Sequence, residues 1–151
     1  MNKKIVIVCG TMESGGAERV ISILTKPLSD FFDNVYLITW KNAELFYKID
    51  QKVKYYDLTT LTKSNNLIKK MIIFRKLINK ISPDLILSFL TPFNMLTIFS
   101  LLFTQYKIVI SERLDPRYLK GGLLMKFIRN QLYRLSNGII CQTNYIKHLY
   151  K

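Results

Sequence analysis

Three short stretches of the chain hold residue types able to do chemistry. The first, Gly10-Thr11-Met12-Glu13-Ser14-Gly15-Gly16-Ala17-Glu18-Arg19, joins an apolar run to an amphipathic one. Its glycines permit close backbone approach, and the N–H groups opening the next helix can face a phosphate or a sugar hydroxyl. It is neither of the common phosphate-binding loops. The glycines fall at the wrong spacing for G-x-G-x-x-G, and Gly16-Ala17 stands where a P-loop requires Lys and Ser or Thr. The other two stretches, residues 88–94 and 111–116, bring Ser88, Asn94, Ser111, Glu112, Arg113 and Asp115 to the ends of later apolar runs. Each feature also has a plain structural use. Gly15 and Gly16 can shape a turn, Glu18 can answer a helix dipole, Arg113 can pair with Glu112 or Asp115, and Asp115-Pro116 can start a helix.

Other chemistries lack their central residues. His148 is the one histidine, so Ser-His and Cys-His triads and His-based metal sites have no basis. Cys9 and Cys141 lie far apart in apolar runs, which offers neither a redox pair nor a zinc cluster and suits a reducing, cytosolic setting. The second strand ends in Trp40-Lys41 with no acid to hold a ribose, which disfavours a dinucleotide dehydrogenase.

These loops need a scaffold, and the hydrophobic patterning supplies one. The chain's 151 residues, 49% of them hydrophobic, suffice for one domain with a genuine core. Residues 3–9 form a β-branched run without alternation, as in a parallel strand covered on both faces. Residues 34–40, 53–58, 84–89, 107–111 and 138–142 read as further strands. Between them, Ala17 to Phe32 has helical periodicity with Pro27 as an expected kink or restart. Ser64 is expected to cap a helix carrying Leu67, Met71, Phe74 and Ile78, which Pro83 stops. Residues 93–103 predict a buried helix. A helix beginning near Leu123, after a break at Gly121 and Gly122, presents Leu124, Phe127, Ile128, Leu132 and Leu135 as its apolar face, and Thr143 caps a last one. Alternating strands and helices imply a Rossmann-like, doubly wound parallel α/β sheet of about six or seven strands with helices on both faces. Residues 5–8 are too short for a secretory leader's apolar region, so none is expected. Residues 85–103 are nearly long enough to span a bilayer, but Pro92 and Asn94 interrupt them, which favours a strand, a turn and a buried helix.

The net charge is +13, and beyond Asp57 fifteen Lys and Arg face only Asp84, Glu112 and Asp115. Such a field attracts phosphates of nucleotides, nucleic acid or lipid headgroups. No RNP-like, zinc-finger or helix-turn-helix pattern is visible, so a nucleic-acid partner is not expected.

Ser14-Gly15-Gly16-Ala17-Glu18-Arg19 resembles the S-G-G-A-E-R segment at the first strand-to-helix junction of family-4 glycosyltransferases of the GT-B fold. Ser111-Glu112-Arg113-Leu114-Asp115-Pro116 is similar to the S-E-R-x-D-P segment of bacterial members that build capsule, lipopolysaccharide or glycan repeat units, and residues 88–94 add a weaker match in the expected order. The resemblance covers essentially the whole chain. It implies an N-terminal, acceptor-binding domain, residues 1–151, whose donor-binding partner domain is absent from this chain, so that this half alone is not expected to catalyse transfer. It implies sugar transfer from a nucleotide-sugar co-substrate to a saccharide or polyprenyl-linked saccharide, with retention and without a metal or other cofactor. Ser14, Gly15, Gly16 and Glu18 would then meet the donor diphosphate and sugar, and Ser88, Asn94, Ser111, Glu112 and Arg113 would line the acceptor side of the cleft. The histidine that members often carry after the fifth strand is missing, with Arg113 and Leu114 there instead.

The resemblance also gives the charge a use. Lys69, Lys70, Arg75, Lys76 and Lys80, with Arg117, Lys120, Lys126, Arg129 and Arg134, are expected to rest on an anionic membrane surface, placing the protein on the cytoplasmic face of the inner membrane. Two rival roles remain open: a non-catalytic acceptor-binding or membrane-docking subunit of a split enzyme, and a basic nucleic-acid-binding α/β domain.

Overall fold

A computed structural model describes residues 2–113, 115 and 122–150. Six strands, β1 (Lys4–Cys9), β2 (Asn34–Thr39), β3 (Lys54–Asp57), β4 (Leu85–Phe89), β5 (Ile108–Glu112) and β6 (Gly138–Cys141), form one sheet in the order β3-β2-β1-β4-β5-β6. Every pairing is parallel. The apolar runs explain the arrangement. β1 is paired on both edges, and its side chains divide between two cores: Val6 and Val8 enter one, Ile5 and Ile7 the other. From Ile5 to Cys9 no position faces water, so none is polar; only Lys4, at the entry, is partly exposed.

Helices cover both faces. α1 (Gly16–Phe31) lays Ile21, with Val20, Leu24 and Leu28, on the layer of Ile5, Leu37 and Phe89. α3 (Leu67–Ile81), α4 (Thr91–Ser100) and α5 (Gly122–Tyr133) cover the opposite layer through Phe74, Ile78, Ile98, Leu132 and Tyr133. A short α2 (Leu58–Thr62), which the patterning did not announce, starts where Asp57 accepts the Thr60 N–H, and α6 (Asn144–Leu149) is capped by Thr143 as expected. The apolar stretch 85–103 resolves into β4 and α4, and no described helix is long and apolar enough to cross a membrane.

Several details depart from the patterning. α1 runs through Pro27 without a restart, because the bond Pro27 removes belongs to the carbonyl of Ile23, a residue 62% exposed, where water can replace it. Asn66, not Ser64, caps α3: its side chain accepts the Lys69 N–H at 3.0 Å, while Ser64 Oγ supports the preceding turn by accepting from Asn66 N at 3.1 Å. α4 starts at Thr91, ahead of Phe93, with Pro92 in its first turn, where a missing N–H costs nothing. The expected apolar face of α5 points away from the sheet. Leu124, Phe127 and Ile128, and Leu135 beyond the helix, are exposed, and of the expected set only Leu132 turns inward, beside Arg129 and Tyr133. Periodicity identifies residues that share a face without saying which face meets the core. Here a polar contact of Tyr133 selects the other side. The expected features at Leu114, Pro116, Arg117, Lys120 and Gly121 lie outside the described residues.

Gly10, at the end of β1, faces the Phe93 ring so closely that a Cβ would sit 2.2 Å from Phe93 Cε2. Gly10→Ala is expected to lower unfolding stability by about 1–3 kcal/mol through overpacking, measured by urea denaturation. Adding Phe93→Leu should recover part of that loss.

Candidate functional site

The strand order reverses between β1 and β4, and in open parallel sheets that crevice, beyond the carboxyl ends of the strands, is where ligands bind. Three segments converge on it. The loop after β1 is fixed from below by Met12, fully buried, and from the side by residues 41–46: Lys41 N–H donates to the Gly10 carbonyl and Phe46 N–H to the Met12 carbonyl, both at 2.9 Å. Between loop and segment lies an open cleft of about 680 Å³ lined by Glu13, Ser14, Ala43, Glu44, Leu45 and Phe46.

Gly15 caps α1 in an extended conformation and accepts the Arg19 N–H at 2.9 Å. The Glu18 carboxylate folds back over it, since a Cβ on Gly15 would lie 2.2 Å from Glu18 Oε2. An acid in the first turn is favourable against the helix dipole. Nothing in the described chain crowds Gly16, and Ser14 is exposed. The four residues expected on the donor side therefore share the junction of β1 and α1, Ser14 and Gly15 in the loop and Gly16 and Glu18 in the first turn of the helix.

The second and third segments are different in kind. Leu90, between β4 and α4, holds a left-handed φ of 72°, costly for a branched side chain. It is kept there by bonds on both sides: its N–H donates to the Ser111 carbonyl at 3.2 Å, and its carbonyl accepts from Asn94 N at 2.8 Å. Ser88, Asn94, Ser111 and Glu112, expected to line the acceptor cleft, are all buried. They hold the cleft's wall from behind. Ser88 Oγ meets Thr97 Oγ1 at 3.2 Å, and Asn94 Nδ2 donates to the Ser111 carbonyl at 3.3 Å. Glu112 Oε1 accepts from Thr91 Oγ1 at 2.8 Å and from Arg113 N at 3.1 Å, while Oε2 accepts from Tyr133 OH at 2.5 Å. Of that set Arg113 alone reaches solvent. Its guanidinium lies over the Phe89 ring at 5.5 Å, its partial burial lowers its pKa, and it meets Glu112 through its backbone N–H.

The basic residues divide in the same way. Lys69, Lys76 and Lys80 are exposed on α3, and Lys126 is partly exposed on α5. Three expected surface contacts are corrected. Lys70 is buried, its Nζ donating to the Trp40 carbonyl and to Thr59 Oγ1, each at 2.8 Å. Arg75 turns to the end of α4 and donates to the carbonyls of Ser100 and Leu102 at 3.1 and 2.9 Å, satisfying groups a helix end leaves open. Arg129 is buried, its guanidinium 5.1 Å from the Tyr150 ring centroid. The signal for Lys70 was in its spacing: it precedes Phe74, Ile78 and Ile81 on the buried stripe of α3. Tyr133 had no such signal.

Among the described residues no group of three or more His, Cys, Asp or Glu could hold a metal ion. Both cysteines are free, and burial pushes the Cys9 thiol up, so it is no nucleophile.

Burial, then the neighbouring Glu112 charge, raises the Tyr133 phenol well above its usual range. A raised folded-state pKa means stability that is complete below the unfolded value and lost as pH rises past it, from about pH 10 for a tyrosine. Tyr133→Phe is expected to cost about 1–3 kcal/mol at neutral pH, by leaving Glu112 a donor short, and to flatten the alkaline limb of stability against pH measured by chemical denaturation.

No family model matches the chain. Over 142 residues it is 30% identical to the Campylobacter jejuni enzyme GalNAc-alpha-(1->4)-GalNAc-alpha-(1->3)-diNAcBac-PP-undecaprenol alpha-1,4-N-acetyl-D-galactosaminyltransferase, a match that takes in 90% of this chain and 39% of that protein. Its fold is shared with the apo form of the lipopolysaccharide outer core galactosyltransferase WaaB, at a TM-score of 0.69 and 15% identity over 96% of this chain and 41% of that one. The chain thus spans about two fifths of each relative. With its six parallel strands and its helices on both faces, the chain has the architecture of one half of a GT-B fold, and along 90% of its length it is similar in sequence to part of a bacterial glycosyltransferase.

Proposed function

We propose that this chain is the acceptor-side domain of a retaining glycosyltransferase that moves a sugar from a nucleotide-sugar donor, without a metal, to a saccharide or lipid-linked saccharide of a cell-surface glycan. The observation that carries the reading is the 30% identity along 90% of the chain to an enzyme whose name describes transfer to an undecaprenol-linked saccharide. The open junction of Ser14, Gly15, Gly16 and Glu18 at the strand-order switch supports it, and Arg113 is the side chain best placed to meet a sugar hydroxyl or anionic substituent. Transfer on this reading needs a second, donor-binding domain, because a departing diphosphate is stabilised by fixed donors that this domain does not supply alone.

Saturation-transfer NMR with short saccharides and nucleotide sugars tests the assignment. Saccharides are expected to bind the chain in preference to nucleotide sugars, and Arg113→Ala should weaken that binding about tenfold, or about 1.4 kcal/mol. Tight, steeply salt-dependent binding of nucleic acid with no saccharide binding would overturn it.

We further propose that α3 rests on an anionic leaflet. Its outward side combines exposed Ile68 and Ile72 with Lys69, Lys76 and Lys80, which suits an interfacial helix. Each basic residue near such a surface contributes about 1 kcal/mol. Replacing the three lysines by Gln should therefore abolish co-sedimentation with phosphatidylserine vesicles at low salt, and Lys70 should not contribute. Failure of the unaltered chain to co-sediment sinks the idea.

A further inference from the structure

Next to the cleft, beyond the end of β2, lies a pocket of about 600 Å³ to which the three motifs contribute only Phe93. Trp40, Lys41 and Asn42 form one wall, Thr59 and Lys70 the floor's polar part, and Leu67, Phe93 and Leu96 an apolar side. It adjoins the candidate site directly, because Lys41 bonds the Gly10 carbonyl and Phe93 covers Gly10.

The charge at this pocket lacks a matching contact. Lys70 is 5% exposed, yet both groups its ammonium touches, the Trp40 carbonyl and the Thr59 hydroxyl, are neutral. Burying a charge without an opposite one in contact is costly. Accordingly burial lowers the Lys70 pKa, with Asp57 opposing that shift from a distance and Lys41 adding to it. An ammonium carries three N–H donors, and these two contacts use two. Trp40, 1% exposed, has an indole N–H with no hydrogen-bond partner among the described residues. The first turn of α3 meets the pocket at Leu67, adding amide N–H groups that a helix leaves open and a dipole that favours an anion.

We propose that this pocket binds an anionic oxygen group, phosphate or carboxylate, carried by the saccharide that occupies the neighbouring cleft, with Lys70 and Lys41 supplying the charge and Leu67, Phe93 and Leu96 the apolar contact. The proposal rests on the acceptor-side reading and narrows it to an acidic acceptor. It also accounts for a lysine on the buried stripe of α3.

Trp40 is the chain's one tryptophan, so its fluorescence reports the pocket directly. Glucose 1-phosphate, glucuronate and neutral glucose serve as probes. A saturable change in Trp40 emission is expected with at least one acid and not with glucose, and which acid binds identifies the group. Lys70→Met, checked for folding by circular dichroism, should weaken that binding at least tenfold, with exposed Lys41→Gln as a second variant that leaves the core untouched. Exposed Lys52→Gln, in the turn before β3, should bind as the unaltered chain does. Absence of a saturable change with either acid, or unchanged affinity in both pocket variants, overturns the proposal. Saccharide binding at the cleft with no anion effect on Trp40 would remove the pocket and leave the acceptor reading standing; anion binding without any saccharide binding would do the reverse.

Discussion

The double pairing of β1 is the constraint on which the rest of the molecule depends. Its residues are in register with β2 along one edge and with β4 along the other, while two core layers close over its faces. The backbone groups of its centre are then used within the sheet, and the side chains from Ile5 to Val8 must be apolar. The same pairing puts the ends of β1 and β4 side by side, so the segments that follow them must part in opposite directions within a small space. Gly10 is a glycine because the first turn of α4 passes there, and Leu90 bears an unfavourable φ because that turn must begin at once. The crevice is a product of sheet topology before any functional residue enters it.

Behind the crevice, one buried carboxylate fastens three elements. Glu112 on β5 receives Thr91 from α4 and Tyr133 from α5, along with the N–H of Arg113. An isolated buried charge would be prohibitive, but a carboxylate given several donors is not, and removing one donor exposes most of the penalty. This explains why the serine and glutamate of the fifth-strand segment are interior while the arginine beside them is not. Ser111, Glu112 and Arg113 form a buried support from which only the Arg113 side chain reaches solvent.

The architecture was legible in the sequence because β-branched runs and helical periodicity both arise from burial, which the structure then realises in the expected order. Residues 10–16 were legible as the turn into α1 for a similar reason: glycines and polar residues between two periodic segments leave little else. What patterning missed was direction. Leu124, Phe127 and Ile128 repeat like a core face but lie outside, since the choice between the two sides of α5 depends on a hydroxyl meeting a carboxylate 21 residues away. Charge misled in the same manner. Lys70, Arg75 and Arg129 read as surface residues because lysine and arginine usually are, yet each has carbonyls, a hydroxyl or a ring to hold it within the fold. Long aliphatic stems make such burial inexpensive, and they leave no trace in composition.

Leu123, Leu124 and Phe127 on α5 and Ile140 on β6 are exposed. Exposed apolar side chains of this kind favour association with like molecules. Against it stands a charge of +13, which repels copies of the chain over a Debye length of about 10 Å at ~0.1 M salt. Colloidal behaviour is therefore a contest between a short-range attraction and a screened repulsion, and dissolved salt shifts the outcome. The ions that would release this protein from an anionic surface also bring its own copies closer together.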